Sequence, residues 1–186
     1  MNKNHGVFTK PGTIVFERLL PGPIERVWAY LTESDKKAQW LAAGDVQPRA
    51  GGKAEQKFRH NDLSPHDNPP PEKYKHMQDG TGFTGKVTQY NPPHLLSYTW
   101  GEGTGEVSEV TFELKPQGDK VLLTLTHRRL GEDPTILISV ASGWHTHLGI
   151  LVDVLNNRVP KSFWTVHNRM EKEYYQQLNN ASLEGR

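Results

Sequence analysis

Residues 92–148 read PPHLLSYTWGEGTGEVSEVTFELKPQGDKVLLTLTHRRLGEDPTILISVASGWHTHL, and the fold is decided in this stretch. A Pro92-Pro93 turn leads into three alternating segments, His94–Trp100, Val107–Lys115 and Lys120–Arg128. Leu96, Tyr98 and Trp100 share one parity. Val110, Phe112 and Leu114 do the same against Glu109, Thr111 and Glu113, and Val121, Leu123, Leu125 and His127 share a face in the third segment. Alternation with period two sends apolar side chains to one face of a strand. Gln117-Gly118-Asp119 is hairpin-turn chemistry between the last two. Asp133-Pro134 then marks a helix start, an N-cap followed by proline at the first helical position. The helix is predicted to reach about Asn157, with a break near Ser142-Gly143 and an apolar stripe of Trp144, Leu148, Leu151 and Leu155. A twisted antiparallel sheet gripped by one late helix is expected to enclose an apolar cavity.

Upstream, Thr13–Leu20 reads as a strand, preceded by a flexible arm over residues 1–12. After Pro21-Gly22-Pro23, residues Ile24, Val27, Trp28 and Leu31 fall at i, i+3, i+4, i+7 and predict an amphipathic helix. Ser34 is placed to cap a short second helix running to about Trp40. Gly44–Ala50 is a weak strand pattern closed by Gly51-Gly52. In Lys53–His60, charged Lys53, Glu55, Lys57 and Arg59 alternate with inward-turned Ala54, Gln56, Phe58 and His60. Residues 61–80 hold four prolines and several charges, and read as a long surface loop inserted between strands. Phe83–Tyr90 resumes the sheet. Pro160 interrupts the chain before a last helix, about Ser162–Leu178, that turns Phe163, Val166, Met170 and Tyr174 to one side. Residues 13–179 are thus expected to form one domain, with a frayed tail over 180–186.

Composition narrows the class. The 186 residues are enough for one sizeable core. Net charge is +1, from 22 basic and 21 acidic residues, which gives no concentrated basic surface for nucleic acid. No apolar run of bilayer-spanning length is apparent, and Met1–Lys10 lacks the apolar stretch of a signal peptide. With no cysteine there is no disulfide framework and no thiolate chemistry. The expectation is a cytoplasmic protein without nucleic-acid or membrane partners.

Several motifs in order carry a family likeness: Pro23-Ile24-Glu25-Arg26-Val27-Trp28, Tyr98-Thr99-Trp100, Val110-Thr111-Phe112-Glu113-Leu114, Leu123-Thr124-Leu125-Thr126-His127 and Gly143-Trp144-His145-Thr146-His147-Leu148. In this order and spacing the chain, from about Thr13 to Asn157, resembles the START-like (SRPBCC) superfamily. Within it, the chain looks like the activator of heat-shock chaperone ATPase homologue family. The resemblance implies an α+β helix-grip fold, also called birch-pollen-allergen-like: a curved antiparallel sheet wrapped around a long C-terminal helix, with a ligand cavity between them. It also brings a stress-response association and a possible chaperone contact. Two departures stand out, the 61–80 insertion and the helix after Pro160, and both are placed to reshape or cover the cavity mouth. The eukaryotic chaperone activators carry a separate N-terminal domain that nothing in this sequence matches, so direct ATPase stimulation ranks low.

The candidate ligand-binding side chains are Trp40, Phe58, Tyr98, Trp100, Phe112, His127, Trp144 and His147. Aromatics bring apolar area with a polar handle on Trp and Tyr. The competing reading for most of them is plain core packing. A neutral histidine such as His127 can orient the polar end of an apolar ligand, or can be a core histidine bonded to its neighbours. His145 and His147 lie roughly 200° apart on a helix and cannot share a metal. His60, His66 and His76, with Asp62, Asp67 and Asp79, show no ligand spacing. Glu17 and Arg18 are adjacent on a strand and so face opposite sides. One of them points inward and needs a partner, unless the strand is an edge. Glu102, Glu106, Glu109 and Glu113 read as a solvated face, not as a carboxylate pair converging on a substrate. No nucleophile elbow, P-loop, dinucleotide fingerprint or zinc-protease motif occurs.

Three functional readings follow. The first is a non-catalytic binding protein for an apolar ligand such as a lipid, polyketide or aromatic metabolite, with no cofactor and no metal. The second is a cyclase- or hydratase-like enzyme using a cavity histidine. The third is a chaperone-associated interaction protein, which needs an exposed docking patch. Ligand identity and oligomeric state stay open, a dimer included.

Overall fold

Alternation in the central segments closes into a hairpin. Strands β6 (Ser108–Gln117) and β7 (Lys120–Arg128) pair from Gln117 opposite Lys120 to Glu109 opposite Arg128. The two-residue turn between them needs a left-handed residue, supplied by Gly118 at φ 64°. A computed structural model describes residues 4–66, 68–101 and 107–184, with side chains through 180. The other strands are β1 (Val7–Lys10), β2 (Thr13–Pro21), β3 (Lys53–Phe58), β4 (Thr81–Asn91) and β5 (Leu95–Trp100). All seven form one antiparallel sheet in the order β1-β2-β7-β6-β5-β4-β3. Helices α1 (Ile24–Thr32) and α2 (Ser34–Lys37) connect β2 to β3, and α3 (Pro134–Leu155) and α4 (Phe163–Glu184) close the chain. The helix-grip arrangement expected from the resemblance is the one observed.

The inward parity of the strands is the core. Ile14, Phe16 and Leu20 of β2, Val110, Phe112 and Leu114 of β6, and Val121, Leu123 and Leu125 of β7 are all buried. Trp144, Leu148, Leu151 and Leu155 of α3 are buried with them in one cluster. Asp133 caps α3 by accepting from the Thr135 N–H at 2.8 Å. The helix runs through Ser142-Gly143 without a break. Ser142 and Thr146 donate to carbonyls four residues back, so they can be buried without orphaned hydroxyls.

Several expectations are corrected. Within the expected arm, Val7–Lys10 form β1, which pairs with β2, and the Gly6 N–H donates to the Tyr174 hydroxyl at 2.7 Å. The tail is helical through Glu184. Helix α2 stops at Lys37 and Ser34 does not cap it; the Ser34 hydroxyl instead accepts from the Gly44 N–H. Residues 44–50 form no strand, only an isolated bridge from Val46 to Ala54, with Ala43 bridging Lys57 just before them. The 22-residue α3 is long and apolar enough, by length and composition, to cross a bilayer, contrary to the expectation of no such run. Its many Ile, Leu and Val residues and its single charged side chain, Asp153, keep the hydropathy high. Half of that apolar window is buried against the molecule's own sheet and α4. Glu102, Glu106 and Asp67 lie outside the described residues.

Candidate functional site: an aromatic cavity at the open end of the grip

The space over the middle of the sheet is filled. Trp144 sits 5.8 Å from Phe112, ring centre to ring centre, and Trp40 packs edge-on with the same ring at 6.5 Å. A cavity of about 280 Å³ opens instead at the end of the grip. Its walls are Phe58 of β3, Phe83 of β4 and Trp100 of β5. Val140, Gly143, Trp144 and His147 of α3 face them, with Phe163, Trp164 and His167 of α4. His60, Tyr74 and Met77, from short 3-10 turns at His60–Leu63 and Glu72–Met77, complete the rim.

Gly143 explains part of the void. A methyl group added at its Cα would meet no atom within 4 Å apart from its chain neighbours and the backbone of its own helix. Glycine inside a helix costs about 1 kcal/mol relative to alanine, so the open volume here lies beside a residue that helix propensity disfavours. The aromatic rings meet at angles suited to their quadrupoles. Trp100 lies 4.8 Å from Trp144 and 4.9 Å from Phe83, and Phe163 lies 4.9 Å from Trp164.

The 61–80 insertion is not a free surface loop. It is sewn to α4 and the segment before it. Ser64 donates to the Pro160 carbonyl at 2.8 Å, Asn68 to Thr165 at 2.6 Å, and Trp164 to Asn61 at 3.0 Å. The Tyr74 ring stacks on Trp164, and its hydroxyl donates to Glu171 at 2.5 Å, beside the Lys73–Glu171 ion pair. Burial, reinforced by the bond to Glu171, pushes the Tyr74 phenol up to about 12, so it stays a donor.

Three histidines stand on the cavity wall. His147 donates from Nδ1 to the Trp40 carbonyl at 2.8 Å, which leaves Nε2 as a bare acceptor. Burial, with His60 nearby, holds its pKa well below the ordinary value. His60 and His167 are each depressed to about 4, chiefly by burial, with His167 adding to the effect at His60. Each has a buried Nδ1 without a partner among the described residues. Neither ring is therefore locked in one tautomer by the protein, and each can offer Nε2 as donor or acceptor. No group of three metal-ligating side chains occurs among the described residues.

Of the eight side chains that the sequence nominates for ligand contact, Phe58, Trp100, Trp144 and His147 stand on the cavity wall. Trp40, Tyr98, Phe112 and His127 do not; they are 0–1% exposed in the packed core. His127 is fully satisfied there. Its Nδ1 accepts from the Trp144 indole N–H at 2.9 Å, so Nε2 carries the proton toward Ser108 Oγ at 2.8 Å. The Ser108 hydroxyl donates onward to the Trp100 carbonyl. Burial pushes His127 down to about 3. The residue orients Trp144 and leaves no valence for a ligand.

His60, Tyr74, Phe83, Phe163, Trp164 and His167 escaped the sequence reading of the site. The signals were present. His60 continues the inward parity of β3, and His167 lies four residues after Phe163 on the apolar face of α4.

Comparison with known proteins is consistent along the chain. The family model described as "Activator of Hsp90 ATPase homolog 1-like protein" matches residues 21–156. No curated protein matches. A Bordetella parapertussis protein solved by NMR is 41% identical, with a TM-score of 0.79 over 93% of this chain and 90% of that one. CalU16 from Micromonospora echinospora shares the fold at 18% identity, with a TM-score of 0.64, covering 88% of this chain and 86% of its own. DynU16, from the dynemicin biosynthetic locus, does so at 19% identity and a TM-score of 0.61, covering 81% of this chain and 49% of its own.

Proposed function

The chain belongs to the Activator of Hsp90 ATPase homolog 1-like family, and from that membership we propose that it is a non-catalytic binding protein for a small, flat, largely apolar molecule. The carrying observation is the aromatic cavity of about 280 Å³ beneath α3 and α4. That volume lies near the lower end of small-molecule sites, roughly 300 Å³ upward, and suits an aromatic metabolite better than a long-chain lipid. Ring faces from Trp100, Trp144, Trp164 and Phe163 favour a planar guest. His60, His147 and His167 supply a few hydrogen bonds to fix its orientation.

The histidine chemistry favours holding over reacting. A general base works best with a pKa near the operating pH. His60 and His167 at about 4 are neutral and weakly basic at pH 7. They act as hydrogen-bonding groups there, not as proton carriers.

The test is native mass spectrometry of gently purified protein, together with a thermal-shift screen of planar aromatic compounds. Retained mass or a raised melting temperature is expected for the wild type. Gly143→Leu, which places a side chain in the void, should abolish both while leaving the protein folded. Equal shifts in wild type and Gly143→Leu would place the ligand elsewhere and end this reading.

A further inference from the structure

Arg18 raises a separate question on the other side of α3. It shares the inward parity of Ile14, Phe16 and Leu20 on β2, where it lies opposite Leu123 of β7 and beyond the reach of β1, whose pairing ends at Val15, and yet it is only 6% exposed. A buried cation ordinarily pairs with a carboxylate. Arg18 makes no ion pair among the described residues. It donates instead to the Glu17 and Asn4 carbonyls, both at 2.8 Å. Those two bonds engage two of the five N–H groups on a guanidinium.

The side chain lines a groove of about 470 Å³ between β2, α3 and α4. Arg158, Lys161 and Arg169 line it too, against a single carboxylate, Asp153. Asp153 is bonded to Arg158 at 2.9 Å, and Arg169 reaches only a distant Glu173 at 3.7 Å. Lys161 has no ion pair among the described residues. In a chain whose net charge is only +1, four cations on one groove are a local concentration.

We propose that this groove binds a small, multiply charged anion, a phosphate or pyrophosphate group on a metabolite, with Arg18 at its base and Arg158, Lys161 and Arg169 around it. A planar guanidinium with free N–H groups matches phosphate oxygens, and charge-assisted bonds of this kind are the strong ones. Arg18 is recessed, which admits a small anion and holds off an extended surface. His145 on the same wall reads the local field. Its pKa is pushed down to about 3 by burial and by the nearby Arg18, His5 and Arg169. An anion bound beside it moves that value up.

The experiment is calorimetric titration with inorganic pyrophosphate, alongside an NMR titration of His145. Saturable binding, weakening with added salt, is expected, with the His145 pKa rising on occupancy. Arg18→Met should lower affinity about tenfold or more. Because Arg18→Met also removes the tie to Asn4, the exposed pair Lys161→Gln and Arg169→Gln provides an independent arm, each weakening binding severalfold. Lys115→Gln, on the exposed face of β6, removes the same charge away from the groove and should leave affinity unchanged. The proposal is overturned by absence of saturable binding, by an equal loss in Lys115→Gln, or by flotation with phosphatidic-acid vesicles without binding of free pyrophosphate.

Discussion

His127 and Gly143 show how single residues divide the labour on the two sides of Trp144. His127 holds the indole N–H from behind, and Gly143 leaves room beside it. Replacing His127→Phe strands a buried indole donor and removes the donor to Ser108. The expected cost is about 2–3 kcal/mol, measured by urea denaturation, with ligand retention preserved in the fraction that stays folded. A variant of unchanged stability that has lost its ligand would mean that His127 touches the guest. Gly143→Ala should act in the opposite direction, gaining up to about 1 kcal/mol from helix propensity, with the cavity only slightly reduced.

The elements themselves were largely legible. Parity in β5, β6 and β7 gave their inward faces, and Asp133-Pro134 gave the start of α3. Period two, however, reports which face a side chain takes and not how far along the grip it lies. Tyr98 and Trp100 share a parity, yet one is sealed in the core and the other walls the cavity. The insertion was misread for a different reason. Its prolines and charges look like solvated loop, and the contacts that dock it, such as Tyr74 with Trp164 and Glu171, join residues about a hundred positions apart. Tyr74→Ala should therefore free the Glu72–Met77 turn from α4. Hydrogen exchange of those amides should quicken at least severalfold, and bound ligand should leave faster, with little change in global stability. If exchange is unchanged, the turn is held by other contacts and is not the cavity's closure.

Across the whole molecule, burial of titratable groups sets the pH response. His60, His127, His147 and His167 are all buried, each with a folded pKa depressed below its ordinary 6.5. The unfolded chain therefore takes up protons below pH 6.5 that the native state refuses. Their contribution is fully present above 6.5 and is lost as pH falls, toward about 4 for His60 and His167 and about 3 for His127. With half-buried His145, also depressed to about 3, five such groups give a slope approaching about 7 kcal/mol per pH unit, against typical stabilities of roughly 5–15 kcal/mol. Lys37, buried with its Nζ on the Glu55 carbonyl and depressed to about 7, extends the trend upward. Stability should therefore keep rising above neutrality, and unfolding should set in between pH 6 and 4, within roughly two units of the histidine midpoint. Denaturant melts across this range check it; a flat profile from pH 7 to 5 would contradict the burial of these rings.

Of the five tryptophans, Trp100, Trp144 and Trp164 stand on the chamber wall, while Trp28 and Trp40 are elsewhere in the core. The molecule thus carries its own optical gauge. A guest that absorbs in the near ultraviolet would quench those three indoles by direct contact and most strongly, with the other two affected less. Occupancy can then be followed in unlabelled protein, and a plateau in the quenching marks saturation.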